Sequence, residues 1–406
     1  MKISINKIID KVTTFVLVIY IIALAAFENY EPTSWIASYL LYLFLIISFI
    51  RMLIIGKIKL TYYSTIMLIY GALLALSLFW AKDFEYGFTT LYWYMTCFIL
   101  TLFVSNFVDR KEKIYSIINA YMIAGVVLSL LLYSVYSLDI FDVAANSKYG
   151  LRLGGEIGNA NAIGLSLAFS VCFALYLLVN FKNSITKKIL YIVSICITGP
   201  VLFLSGSKKA LFVLLFGILY MFITYKTDKK IIFSKLKGLS VSIAFLFLVY
   251  WLLNNVSAFW YIGQRVNEMF LTFQGQGVSN TDLTRINMIN TSIEQFSNAP
   301  LLGNGIAHSR VVFGTYSHNN YVEILMNTGI VGFLIYYSVY LISIYKSYRI
   351  SKDEESLVII IRFILITLTI IEMGLVSYYS RYYQMLLAAI SSVLTKGRKI
   401  KYVKKD

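Results

Sequence analysis

His318 stands where a polar loop enters a long apolar run, in the stretch 317–333, SHNNYVEILMNTGIVGF. Imidazole ordinarily titrates near neutral pH, so the first chemistry to ask of it is proton removal. Asn320 reads as the N-cap of the following helix, with Glu323 three residues on, in the place of a capping-box acid. His318 would then lie at or just before a helix N-terminus. Unpaired N–H groups and the dipole favour an anion there, and with it a neutral imidazole fit to act as a base. Taken alone, such a histidine is more simply read as an interface residue that hydrogen-bonds its own loop.

The other candidates are cations and their neighbours. Lys208 and Lys209 form part of SGSKKAL, a tight turn between two apolar runs, where two positive charges could hold a phosphate or pyrophosphate. Arg152 lies in LRLGGEIGNANAIG, whose glycines let backbone approach a ligand and whose Asn159 and Asn161 offer amide donors. Arg285 sits in TDLTRINMINTSIEQF, which has the spacing of an amphipathic helix. Each has a plain alternative: solvated charges at a loop tip for the lysines, and pairing with Asp282 for Arg285. Arg310 and Arg381 read as structural. Glu323 and Glu372 fall near helix ends, where either could orient His318 or pair with an arginine.

No metal is expected. His308 and His318, the two histidines, are ten residues apart in a loop, with no acid cluster to complete a ligand set. There is no paired-aspartate motif for a metal–nucleotide complex and no P-loop. No cofactor is therefore called for, and the energy for a reaction must come from a substrate already activated and already in the membrane.

The elements that must position these residues are apolar helices. Of 406 residues, 59% are hydrophobic and 16% aromatic, with mean hydropathy +0.74, which excludes a soluble globular class. Twelve runs approach the length that crosses a ~30 Å bilayer core: 8–27, 35–55, 60–80, 87–108, 114–138, 161–181, 189–205, 210–225, 239–253, 321–345, 357–376 and 382–394. They predict an all-α polytopic membrane protein of about 12 transmembrane helices, forming one integral domain over 1–406. The first run reads as a span rather than a removable signal. Cys97, Cys172 and Cys196 all fall inside apolar runs, with no disulfide or metal spacing.

Twenty-six of the 36 lysines and arginines fall on one set of loops, including Arg51, Arg110, Lys187, Lys346 and the tail beyond Lys396. The positive-inside rule puts those loops and both termini in the cytoplasm. The net charge of +16 is thus a topology signal beside anionic membrane lipids, and no nucleic-acid motif accompanies it. The opposite, extracytoplasmic side holds nine: Lys82, Lys148, Arg152, Lys208, Lys209, Arg265, Arg285, Arg310 and Arg381. That side also carries the single long loop, 254–320, with apolar helical spacing from Leu283 to Phe296 and a turn, NAPLLGNG, that closes it.

These residues together resemble the superfamily of O-antigen ligases and O-antigen (capsular) polysaccharide polymerases, integral membrane glycosyltransferases. The family signature of His, Asn, nine residues and Gly-x-x-Gly is matched by His318, Asn319, the nine residues 320–328, Gly329 and Gly332. An upstream proline–glycine turn is matched from Pro300 to Gly305, and a loop-helix arginine by Arg285. An arginine followed by an asparagine-rich turn is matched by Arg152 and Asn161. A Ser-Arg-Gly-Ala-like turn is matched by Ser207-Lys208-Lys209-Ala210, where lysine keeps the charge but loses the bidentate fork.

The resemblance implies a GT-C-like fold in the cytoplasmic (inner) membrane with an extracytoplasmic active site. It also implies metal-free transfer of a glycan from a polyprenyl (undecaprenyl) pyrophosphate carrier to a hydroxyl. His318 would take the acceptor proton. Arg285, with Lys208, Lys209 and Arg152, would hold the pyrophosphate, and Asn161, Asn319 and Glu323 would line the substrate. A flippase and a chain-length regulator are the implied protein partners.

Two activities share this signature: a polymerase joining lipid-linked repeat units, and a ligase moving finished glycan onto lipid A core or protein. Heavy use of Ile, Lys, Asn and Tyr points to a low-GC, Gram-positive source without lipid A, which weighs toward the polymerase. A lipid-linked glycan transporter would instead predict mid-membrane ionisable pairs and a repeat relating two halves; neither is present in the sequence.

Overall fold

The computed structural model describes residues 5–56, 58, 60–137, 141, 153, 158–181, 183–224, 231–274, 280–350 and 354–396. Among them all regular structure is helical. In chain order the α-helices are α1 (Ile5–Ala26), α2 (Ser34–Ile55), α3 (Tyr62–Leu76), α4 (Phe84–Phe107), α5 (Lys111–Tyr136), α6 (Ala160–Asn180), α7 (Ile185–Leu204) and α8 (Lys208–Thr224). They continue with α9 (Ile231–Asn255), α10 (Trp260–Phe273), α11 (Asn280–Asn298), α12 (His308–Phe313), α13 (Asn320–Ser347), α14 (Glu355–Ile371) and α15 (Arg381–Lys396).

Each of the twelve apolar runs falls on a helix: α1 to α9, α13, α14 and α15. Eight described helices are long and apolar enough to cross a membrane. The number is nine if the bent pair Ile243–Asn255 and Ser257–Leu271, which turns by 95°, is one span. Helices α8, α14 and α15 have 17, 17 and 16 residues and fall short of that test. At 1.5 Å per residue they reach about 24–26 Å, against ~30 Å of hydrocarbon. The chain is a polytopic all-α membrane protein. Its segment 254–320 is largely helical, carrying α10, α11 and α12.

The chain divides into two compact units. The first comprises Met1–Lys7, Leu45–Ile114 and Ser279–Asp406; the second comprises Ile8–Phe44 and Tyr115–Val278.

The first unit is built around buried tyrosines. Tyr70 packs against Tyr94, Tyr336 and Tyr378 at ring separations of 5.7, 5.5 and 6.1 Å. Gln384 links two buried hydroxyls of this unit: its Nε2 donates to Tyr336 at 2.8 Å and its Oε1 accepts from Tyr63 at 3.0 Å. Lipid offers no hydrophobic gain to helix pairing, so side-chain packing and hydrogen bonds of this kind hold the bundle.

In the second unit small residues do that work. Ser170 Oγ donates to the Met122 carbonyl at 2.7 Å, bringing α5 against α6. A Cβ at Gly164 would stand only 2.6 Å from Ser205 Oγ and 2.9 Å from Ala210 Cβ, so a glycine there lets α6 press on the turn that starts α8.

One deformation decides where the site can form. Within α13, Gly329 adopts φ 64° and ψ −167°, which interrupts the helix. An interrupted helix exposes carbonyls on one side and N–H groups on the other, and these need partners. The NAPLLGNG turn provides them. Asn304 N donates to the Met326 carbonyl at 2.9 Å and Gly305 N to Asn327 at 3.0 Å, while Ile330 N donates to Pro300 at 2.9 Å and Val331 N to Leu301 at 3.2 Å. The approach is close enough that a Cβ at Gly329 would lie 2.3 Å from the Leu301 oxygen, and one at Gly303 2.5 Å from Asn327 backbone. The Pro–Gly turn and the first glycine of Gly-x-x-Gly are thus the two halves of one joint. The joint fixes the upper half of α13, where His318 begins.

Candidate active site

The segment 314–323 in the first unit carries the histidine. Asn319, not Asn320, is the N-cap of α13. Its Oδ1 accepts from Tyr321 N at 2.9 Å and Val322 N at 3.4 Å. The expected cap at Asn320 fails because that side chain has other obligations. Asn320 Oδ1 accepts from Ser377 N at 3.0 Å and its Nδ2 donates to Tyr337 at 3.1 Å, while its own N–H donates to the Glu372 carbonyl at 2.8 Å. These bonds fasten the start of α13 to the end of α14.

Glu323 therefore does not close a capping box on Asn320. It is buried, and both its oxygens are used: Oε1 accepts from Ser309 Oγ at 2.5 Å and Asn327 Nδ2 at 3.3 Å, and Oε2 from Ser317 N at 2.8 Å. The carboxylate thus ties the residue before Arg310 and the residue before His318 to one point.

His318 is half-buried and lies in the left-handed region, φ 61°. That conformation is uncommon outside glycine and costs of order 1–3 kcal/mol when held. The cap on one side and the Ser317–Glu323 bond on the other hold it. Its ring lies 4.3 Å from that of Tyr316, tilted by 59°. Burial pushes the Tyr316 phenol above its ordinary range, while Arg285 and Arg310 oppose the shift; Glu323 reinforces it. Tyr316 accordingly stays a protonated hydrogen-bond donor near neutral pH, with both guanidinium groups in its electrostatic neighbourhood.

Arg285 lies on α11, as the amphipathic spacing predicts, and its contact with Asp282 is long at 3.9 Å. Arg310 lies over the Trp93 ring, its guanidinium carbon 5.1 Å from the centroid, and hydrogen-bonds Tyr379. The sequence reading passed over Tyr316, Trp93 and Tyr379. Only the interface enrichment of aromatic residues could have flagged them, and in a chain with 33 tyrosines that signal is weak.

Residues 192–337 match the family model described as O-antigen ligase. That match supports the resemblance to the O-antigen ligase and polysaccharide polymerase superfamily. The matched segment contains Lys208, Lys209, Arg285, His318 and both glycines of the Gly-x-x-Gly pattern; Arg152 and Asn161 precede it. No curated protein matches the chain.

The remaining residues expected in an O-antigen ligase-type site lie in the second unit. Ser207 Oγ donates to Asn161 Oδ1 at 3.2 Å and accepts from Ala210 N at 3.3 Å, so the asparagine-rich turn meets the N-terminus of α8. Lys208 and Lys209 are the first two residues of α8 and are half-buried. Two ammonium groups on the positive end of a helix dipole concentrate positive potential. Arg265 on α10 donates to the Gly206 carbonyl at 2.8 Å and bolsters the same turn. Arg152 lies outside the described residues.

Among the described residues Glu372 pairs with no arginine; its oxygens accept from Tyr336, Tyr337, Tyr340 and Ser377, three phenols and a hydroxyl. His308 is buried, with Nε2 3.1 Å from Gln295 Oε1, and burial followed by Lys82 lowers its pKa. Among the described residues no three His, Cys, Asp or Glu side chains converge as metal ligands.

Proposed function

We propose that the chain is a polysaccharide polymerase that joins polyprenyl-pyrophosphate-linked oligosaccharide repeat units on the outer face of the cytoplasmic membrane. The observation that carries this reading is the meeting of His318 and Tyr316 under the field of Arg285, inside a segment that matches the O-antigen ligase family model. In the proposed reaction an acceptor hydroxyl oxygen attacks the anomeric carbon of the donor. Its proton passes to an imidazole nitrogen of His318. The bond from that carbon to the diphosphate breaks, and the electron pair leaves with the polyprenyl diphosphate.

Arg285 acts on the charge that develops on the leaving group. Lys208, Lys209, Arg152 and Asn161 are the proposed further contacts to pyrophosphate or glycan. Asn319 and Glu323 fall to a positioning role, because their oxygens are already engaged by the backbone they hold. General-base help is typically worth about 10²–10⁴-fold, and stabilising leaving-group charge is often the larger effect. A flippase that delivers the donor and a regulator of chain length would be the protein partners.

The description of the matched family favours a second reading, a ligase that moves finished glycan to lipid A core or protein. Purified protein given only lipid-linked repeat units distinguishes the two: a polymerase makes a ladder, a ligase makes none until a core or protein acceptor is added. His318→Asn keeps a side chain that tolerates the left-handed backbone and removes the base. It should cut the rate by at least about 10²-fold while single lipid-linked units accumulate. Unchanged product length from normally inserted His318→Asn protein refutes the mechanism.

A further inference from the structure

The sequence reading set Arg310 aside as structural. The fold gives it a different setting. Ser309, its neighbour, and Ser317, the neighbour of His318, both bond the carboxylate of Glu323, at 2.5 and 2.8 Å. One buried side chain therefore fixes the chain at Arg310 and at His318 together. Arg310 also extends from α12, which ends four residues short of Ser317, so little slack separates the two.

Arg310 makes no salt bridge among the described residues. Among the described residues its side chain contacts the Trp93 indole face and the Tyr379 hydroxyl and no carboxylate. Arg285 is nearly as bare, its single acidic contact lying at 3.9 Å. Two guanidinium groups thus share the neighbourhood of Tyr316 with a single carboxylate, Glu323, whose oxygens already accept from Ser309, Asn327 and Ser317. Like charges so placed raise the energy of the empty site and lower it when an anion bridges them. The Trp93 ring under the guanidinium, 5.1 Å from its carbon, offers the N–H groups no oxygen acceptor, so those not given to Tyr379 remain for an oxyanion. A single phosphate would be served by one such fork; two forks suit an anion with two charged centres.

Resting on the proposed function, we infer that Arg310 is the second cation of the leaving-group site, and that Arg285 and Arg310 together select a lipid diphosphate over a lipid monophosphate. The probes are farnesyl diphosphate and farnesyl monophosphate, titrated against the full chain purified in detergent, with binding read directly and by thermal shift. The wild-type protein should bind the diphosphate more tightly than the monophosphate. Arg310→Gln should weaken diphosphate binding about tenfold to a hundredfold, the loss of one or two charge-assisted hydrogen bonds, while monophosphate binding changes little. Arg310→Lys should recover part of the affinity.

Selectivity is the readout that a merely structural arginine would not move. Arg310→Gln protein that keeps wild-type selectivity, while Arg285→Gln loses it, overturns the inference and leaves the proposed function standing. Equal weakening toward both probes with a lowered melting temperature overturns it as well, assigning Arg310 to folding. Failure of the wild-type protein to bind either lipid phosphate would instead sink the proposed function, and the inference with it.

Discussion

Glu323→Gln tests the claim that a buried carboxylate, not its charge toward substrate, sets the geometry around His318. The two side chains are nearly isosteric, so packing is conserved. Three donors now meet two carboxylate oxygens: Ser309 Oγ at 2.5 Å and Asn327 Nδ2 at 3.3 Å on one, and Ser317 N at 2.8 Å on the other. Glutamine offers one oxygen and an NH2 group, so at least one donor must face another donor. Leaving a buried donor unmet costs about 1–3 kcal/mol, and the surviving bonds lose their charge-assisted part, about 1 kcal/mol.

The total, about 2–4 kcal/mol, exceeds the ~1–3 kcal/mol strain of a left-handed non-glycine residue, so His318 should leave its conformation. The assay pairs thermal unfolding in detergent with initial rates on lipid-linked repeat units. The expected result is a lower melting temperature and a kcat reduced at least about tenfold, as positioning losses of 1 Å or so produce. A variant that unfolds earlier yet turns over at the wild-type rate would refute the positioning role.

Two further outcomes follow from the same geometry. Gly329→Ala places a Cβ 2.3 Å from the Leu301 oxygen, in a backbone region reserved for glycine; backbone strain and overpacking should each cost about 1–3 kcal/mol. Poor yield and protease sensitivity near the turn are expected, and a wild-type melting temperature would contradict the joint described between the turn and α13. His308 has its pKa lowered by burial and by Lys82, so the folded state binds this proton less readily than the unfolded chain does. Stability should therefore fall on acidification from the ordinary histidine range, about pH 6.5, down to the folded pKa, and His308→Gln should flatten that slope in a melting-temperature profile against pH.

The helices were legible because apolar length is a one-dimensional property. Each run long enough to suggest a span is helical, and the amphipathic spacing of 283–296 marks the body of α11. The break in α13 was not legible in the same way. Nothing local to Gly329 announces the partner of the break, a turn nearly thirty residues upstream that fits its backbone into the gap.

The cap shifted by one residue for a similar reason. Both Asn319 and Asn320 can cap a helix, and the choice was made by Ser377 and Tyr378, whose N–H groups claim the Asn320 oxygen from far along the chain. Local rules rank the candidates; distant donors choose among them. Arg310 shows the limit most plainly. Its type was readable, but an arginine that pairs with an acid and one that faces a phenol and an indole look alike in sequence.

On the expected orientation, in which the cations near His318 face away from the cytoplasm, insertion disfavours them, and a histidine strained into the left-handed region is a second cost borne by the fold. Neither feature helps the bundle pack. The Asn319 cap and the Glu323 anchor hold the chain beside His318 and Arg310. A scaffold that grips the neighbours of its reactive groups is suited to a substrate that arrives, reacts and must depart. On the proposed mechanism the departing species is a doubly charged lipid phosphate. It should be held by cations fixed before it forms, because groups that had to reorganise during bond cleavage would return part of the stabilisation they offer.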